Sequence, residues 1–224
     1  MCFSAQADLV GGTVVALLGV DALRHVRERR EIAIAAMPLL LGAHQLFETF
    51  VWWGLQGHVA SQVGEVATWI YLLIAFVLLP SYVPFAIWRI EATAARRRLM
   101  VPFMLLGIAV SAVLLLAMVG GPVSASLESQ HIAYDIGLQY GGVIVVAYVT
   151  ATCGSMLMSG YRYIVAFGCV NLPVVVVLAA LAQSGFASLW CMWAAVTSGM
   201  IALHLRYQPR HGHQFSAPPV PIAS

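Results

Sequence analysis

Apolar residues run through the chain in seven blocks, at about 4–23, 32–55, 63–88, 99–119, 136–158, 163–183 and 186–206, with short polar stretches between them. A helix needs about 20 mostly apolar residues to cross the hydrocarbon core of a bilayer. Backbone immersed in lipid must also satisfy its own hydrogen bonds, which helices do locally. The blocks lack the ten-residue alternation of a membrane barrel. The pattern therefore predicts an all-α fold, an integral membrane bundle of seven transmembrane helices over residues 1–206. Residues 207–224 are polar, with prolines and histidines, and are expected to form a disordered tail. Pro80, Pro84 and Pro173 are expected to bend the third and sixth spans, which membrane helices tolerate.

Composition agrees with the pattern. Hydrophobic residues make up 61% of the chain and charged residues 9%, where a soluble domain has about 25%. The expected partner is the lipid bilayer, and no nucleic-acid partner is expected. Lysine is absent, so arginine carries every fixed positive side-chain charge. Arg24, Arg27, Arg29 and Arg30 fall between blocks one and two, and Arg89 and Arg96–Arg98 between blocks three and four. Arg162 falls between blocks five and six, and Arg206 and Arg210 follow block seven. Seven crossings put all of them on one side, which the positive-inside rule makes cytoplasmic. The N-terminus is then outside and the C-terminus cytoplasmic. The first block has no basic region before it, so it is expected to be an anchor and not a cleaved signal.

Charges inside a membrane default to a functional role. With this orientation Asp8, Glu48, Glu65 and Asp135 lie in the outer half or at the outer interface, and Glu128 in an outer loop. The outer face is electronegative and suits protons, metal ions or organic cations. Asp21, Glu28, Glu31 and Glu91 are expected at the cytoplasmic surface, paired with arginines. In the second block Leu41, His44, Gln45, Glu48, Trp52 and Leu55 share one helix face. There His44 and Glu48, at i and i+4, can reach one ion or one proton. His131, Asp135 and Gln139 repeat that spacing at the start of the fifth block, flanked by Tyr134 and Tyr140, and Glu65 and Trp69 repeat it in the third. Asn171 is expected to serve the backbone bent by Pro173. Cys153, Cys169 and Cys191 lie singly in the last three blocks and read as packing residues, Cys191 within a small-residue stripe with Ala195, Ser198 and Ala202. Cys2 differs. Loss of Met1 would leave an outward-facing aminothiol able to chelate a soft metal or to act as a nucleophile.

The opening Met1-Cys2-Phe3-Ser4-Ala5 resembles a bacterial integral membrane protein family of unknown function whose members begin in this way. Other stretches are similar to it as well: Gln45, Glu48 and Trp52; Phe76, Pro80, Pro84 and Glu91; and Trp190, Cys191, Ala194, Ala195 and His204. The likeness covers nearly the whole chain and implies the bacterial cytoplasmic membrane. Family members often carry glutamine at the position of His44, which leaves Cys2, Gln45 and Glu48 as the shared candidates. The resemblance supplies no activity.

Two familiar seven-helix chemistries fit poorly. A retinal Schiff base needs a lysine, and the last block offers only His204 toward a zinc hydrolase site. Three functions remain in view. The first is an outward-facing polar, acidic site in the bundle, with Cys2 and Glu48 as catalytic candidates. There Cys2, His44 and Glu48 would hold a transition metal for redox or hydrolytic chemistry, Asp8, Gln45, Trp52, Glu65, His131, Asp135 and Gln139 would line the pocket, and a small ligand would enter from outside. The second is a proton- or cation-coupled transporter with Glu48 as the titrating group. The third is an accessory subunit of a larger membrane complex.

Overall fold

The computed structural model describes residues 4–128, 131–138, 140–181, 193, 197–201 and 203. Helix α1 (Ala5–Arg24) starts where the Ser4 hydroxyl accepts a hydrogen bond from the Ala7 amide. A short α2 (Ile32–Ala35) leads into α3 (Met37–Leu55). Helix α4 (Ser61–Leu72) passes through a π-helical segment, Leu73–Leu78, into α5 (Leu79–Ile90). The third span, expected to bend at its prolines, carries this π segment just before Pro80. Pro80 and Pro84 donate no backbone hydrogen bond, so the ladder before them widens. The carbonyls of the segment are taken up by neighbours: Ser111 Oγ donates to Val77 at 2.6 Å and Tyr148 Oη to Ala75 at 2.9 Å. Helix α6 (Ala94–Gly120), capped by Thr93, is followed by a hairpin of β1 (Ser124–Glu128) and β2 (His131–Asp135), then α7 (Gly141–Leu157) and α8 (Arg162–Leu181).

Four segments are long and apolar enough to cross a membrane: Ala5–Arg24, Ile32–Leu55, Ser61–Ile90 and Ala94–Gly120. Gly141–Leu157 and Arg162–Val177 are shorter apolar helices. Large apolar side chains cover the outside of the bundle, among them Leu17 of α1, Leu105 and Leu116 of α6 and Val146 of α7. A soluble monomer rarely exposes apolar surface so continuously. These observations define a helical membrane protein.

The most extensive pairing is α1 against the antiparallel α3. A Cβ on Gly19 would lie 2.3 Å from the Leu39 nitrogen, and one on Gly42 would lie 2.5 Å from the Ala16 nitrogen. Small residues permit this approach where lipid offers no hydrophobic drive to helix association. The two largest core clusters sit toward opposite ends of the bundle. One, toward the arginine-bearing end, contains Met37, Ile87, Ile90, Met100 and Tyr161; the other, toward the hairpin, contains Tyr71, Leu72, Val110, Met118 and Ile136. Between α3, α5, α7, α8 and the helical residues Trp193 and Thr197–Ile201 lies a partly open apolar cavity of about 210 Å³.

Two expectations are corrected here. The fifth span does not begin at 136. His131–Asp135 is a strand paired antiparallel with Ser124–Glu128 and the next helix starts at Gly141, so His131 and Asp135 do not share a helix face. Five-residue strands are too short to span; the hairpin caps the bundle instead, with Ile132 buried against Ala5, Val51, Trp52 and Ala67. Glu31 and Glu91 are likewise not surface groups, since both are buried. Glu31 Oε2 accepts from the Arg27 and Glu28 amides and closes the α1–α2 turn. Glu91 Oε1 accepts from Ser159 Oγ at 2.6 Å and the Gly160 amide at 2.9 Å, tying the end of α5 to the α7–α8 loop. Beside it Tyr161 Oη donates to the Ile90 carbonyl. Burial, with the nearby Arg30 opposing and Glu91 reinforcing it, pushes the Tyr161 hydroxyl up to about 12, so the proton it donates is held at any ordinary pH.

Candidate functional site

The second apolar block places its polar residues as its periodicity requires. On α3 His44 is 3% exposed, Gln45 3%, Glu48 0% and Trp52 5%. Glu48 stands one turn from His44 and one turn from Trp52 on the same face. Asp8 of α1 is also buried. Gly19 meets Leu39 and Gly12 meets Leu46, which sets the register of the two antiparallel helices. Continued toward the hairpin, that register brings Asp8 within about 3 Å of Glu48 in height along the bundle. Gln45 lies over Gly11 and Gly12, where a Cβ would meet its Oε1 at 3.5 Å and its Cβ at 3.1 Å respectively. Glycines at 11 and 12 thus make room for an amide between the helices.

The floor of the site is aromatic. The His44 ring stacks on Tyr71 of α4 with centroids 4.0 Å apart and planes 19° from parallel, and Tyr71 stacks on Tyr134 of β2 at 4.7 Å and 19°. The hairpin therefore delivers a ring to a stack that starts on α3. Tyr71 was not among the residues expected at the site. Its signal is the face Gly64, Ala67, Thr68, Tyr71, all buried, which is distinct from the exposed Glu65 and Trp69 face of the same helix. Ring pairs of this kind contribute about 0.5–1.5 kcal/mol beyond the area they bury. Tyr71→Leu, which breaks two stacks, is expected to lower stability by about 2–3 kcal/mol, read as a shift in a thermal melt. Tyr71→Phe, which keeps the ring, is expected to cost less than half as much.

Among the described residues two polar atoms of the site have no hydrogen-bond partner: Nε2 of His44 and Nε1 of Trp52, both buried. They lie on either side of Glu48 along α3.

The other expected members do not join. Glu65 and Trp69 line an open cleft of about 390 Å³ between α3, α4 and β1, together with Ser61, Thr68 and Ser124. Asp135 is exposed, and its carboxylate accepts from the Gly137 amide at 2.8 Å, closing its own turn. Cys2 and Gln139 lie outside the described residues, as do Cys191, His204 and the tail, and the side chain of His131 is not described. Among the described residues no three His, Cys, Asp or Glu side chains converge as metal ligands. Of the three expected ligands, His44 and Glu48 are buried one turn apart on α3, and no described side chain, Asp8 included, completes a set with them. Cys153 is buried and accepts from Asn171 Nδ2 at 3.3 Å, while Cys169 is exposed. Asn171, expected to serve the backbone, bonds side chains instead, and its Oδ1 also accepts from Trp193 Nε1 at 2.5 Å.

Fold and site together define a helical membrane protein with a buried polar cluster near the hairpin end. The chain belongs to the family of unknown function DUF6629, whose profile matches residues 1–215. No curated protein and no solved structure matches it significantly.

Proposed function

We propose that this chain crosses the bacterial cytoplasmic membrane seven times with its arginine-bearing end inside, and that the polar site in its outer half binds a small cation admitted from outside. The orientation is supported by where the loops meet. Arg89 donates to the Arg29 carbonyl and Arg96 to the Met158 carbonyl, so three arginine-flanked connections gather at one end. Among the described residues the hairpin end carries carboxylates and no arginine. The count is supported by the two shorter helices. At 17 residues α7 is about 26 Å long, near the lower limit for spanning. Helical residues at Trp193, Thr197–Ile201 and Leu203 suit a further pass.

The observation that carries the reading is the pair of unpartnered nitrogens flanking Glu48. A buried donor left unsatisfied costs about 1–3 kcal/mol, and a hydrated cation removes the deficit. Its charge is held by Glu48, Nε2 of neutral His44 binds it directly or through water, and a water of its shell accepts from the Trp52 indole. In the transition-metal form of the site Cys2 supplies the third ligand; three residues of chain keep it within about 11 Å of the buried Ala5. Redox or hydrolytic chemistry would follow from that form. A through-path for transport is less well supported, because Val15, Leu41 and Leu79 pack together one turn below His44. No observation favours the accessory-subunit reading.

The test uses full-length protein in mild detergent with a tag free of histidine. Metal content per chain is measured first, then thermal melts with added zinc, copper(I), sodium and a quaternary ammonium ion. The reading predicts near-stoichiometric metal, or stabilisation by one cation of about 2.7 kcal/mol at a hundred times its dissociation constant. Either signal disappears in Glu48→Gln and falls in His44→Phe. Wild-type protein with no metal and no response to any cation would falsify it.

A further inference from the structure

We propose that the apolar cavity in the arginine-side half of the bundle holds one hydrocarbon chain of a lipid drawn from the surrounding membrane. This is a second site, separate from the cation site. It runs beside Ile34, Met37 and Leu41, a length of about 10 Å along α2 and α3. Across from these stand Val83, Ala86 and Ile87 of α5, with Met156 of α7, Phe167 of α8 and Ile201 lining other sides of a cavity that stays partly open.

Several polar groups on its wall are already engaged. Tyr148 donates to the Ala75 carbonyl, Thr152 to the Tyr148 carbonyl, and Asn171 bonds both Cys153 and Trp193. Water entering such a space would find too few partners to stay. A headgroup would fare no better, whereas a flexible chain asks only for apolar contact. Methionines at 37, 156 and 200 line the cavity, and their unbranched thioethers adapt to a chain that lies in more than one conformation. The fit is to the chain alone, so a fatty-acyl tail and an isoprenoid tail share the required chemistry.

The experiment releases the full-length protein in mild detergent, exchanges the detergent to remove loosely held lipid, and counts retained lipid per chain by native mass spectrometry and extraction. The expected result is about one chain-bearing lipid per protein, its mass telling a phospholipid from an isoprenoid; either supports the proposal. Ala86→Phe and Val83→Phe fill the cavity and are expected to melt no lower than wild type while retaining at least tenfold less lipid. Glu48→Gln is expected to retain as much as wild type, which separates this site from the cation site. In stripped wild-type protein a phospholipid with brominated chains is expected to quench Trp193, read as the difference from Trp193→Phe, so the proposal stands or falls even where a filling variant does not fold. It is overturned by wild-type protein that retains no lipid and shows no Trp193 quenching, or by folded filling variants that retain lipid as wild type does.

Discussion

Gly19→Leu is expected to drive α1 off α3 and leave little folded protein. The new Cβ would lie 2.3 Å from the Leu39 nitrogen and 2.6 Å from its Cα. These are backbone atoms of a helix, so no rotamer change relieves the contact and one helix must move bodily. Ordinary overpacking costs about 1–3 kcal/mol. Gly19→Ala is expected at the upper end of that range and Gly19→Leu well beyond it. The same interface seats Asp8 and Gln45 against each other's helices, so any cation response should vanish along with the packing. Thermal melts and the monodisperse yield in detergent measure this, with Gly141→Ala as control because a Cβ there meets nothing within 4 Å. If Gly19→Leu melts like that control, the close approach of α1 to α3 is wrong.

Glu91→Ala is expected to cost about 2–4 kcal/mol. It strands two buried donors, Ser159 Oγ–H and the Gly160 amide, and each unsatisfied donor costs about 1–3 kcal/mol. Glu91→Gln keeps the shape and an acceptor oxygen and should cost roughly half as much, because the charge-assisted part of the bonds is lost. A double-mutant cycle with Ser159→Ala separates the hydroxyl contact from the rest. Additive losses would show that Glu91 and Ser159 do not act together, and that the α7–α8 loop is held by something else.

The polar face of α3 was legible in the linear chain, since a helix converts spacing directly into direction. His44, Gln45, Glu48 and Trp52 are buried together as their spacing demands. The hairpin was not legible, because Ile132, Tyr134 and Ile136 alternate for only a few residues before an apolar run that swallows the pattern. Its consequence, that His131 and Asp135 do not sit on a helix beside Glu48, was hidden for the same reason. Glu31 and Glu91 were misplaced because local charge density says nothing about depth. Both stand among arginines in sequence, yet each turns its carboxylate onto backbone amides of a tight turn, where burial strengthens the bond.

What the sequence by itself determined is therefore the material of the bundle: apolar helices, their order, the arginines gathered in alternate connections, and a polar face on α3. These follow from the period of a helix and the cost of polar groups in hydrocarbon, both local properties of the chain. Tertiary structure alone decided which groups meet. It set Tyr71 and Tyr134 under His44, Asp8 near the height of Glu48, Ser159 against Glu91, and an apolar void beneath Leu41. Such meetings depend on the register between helices, which small residues at closest approach set to within a single side chain and which no one helix encodes.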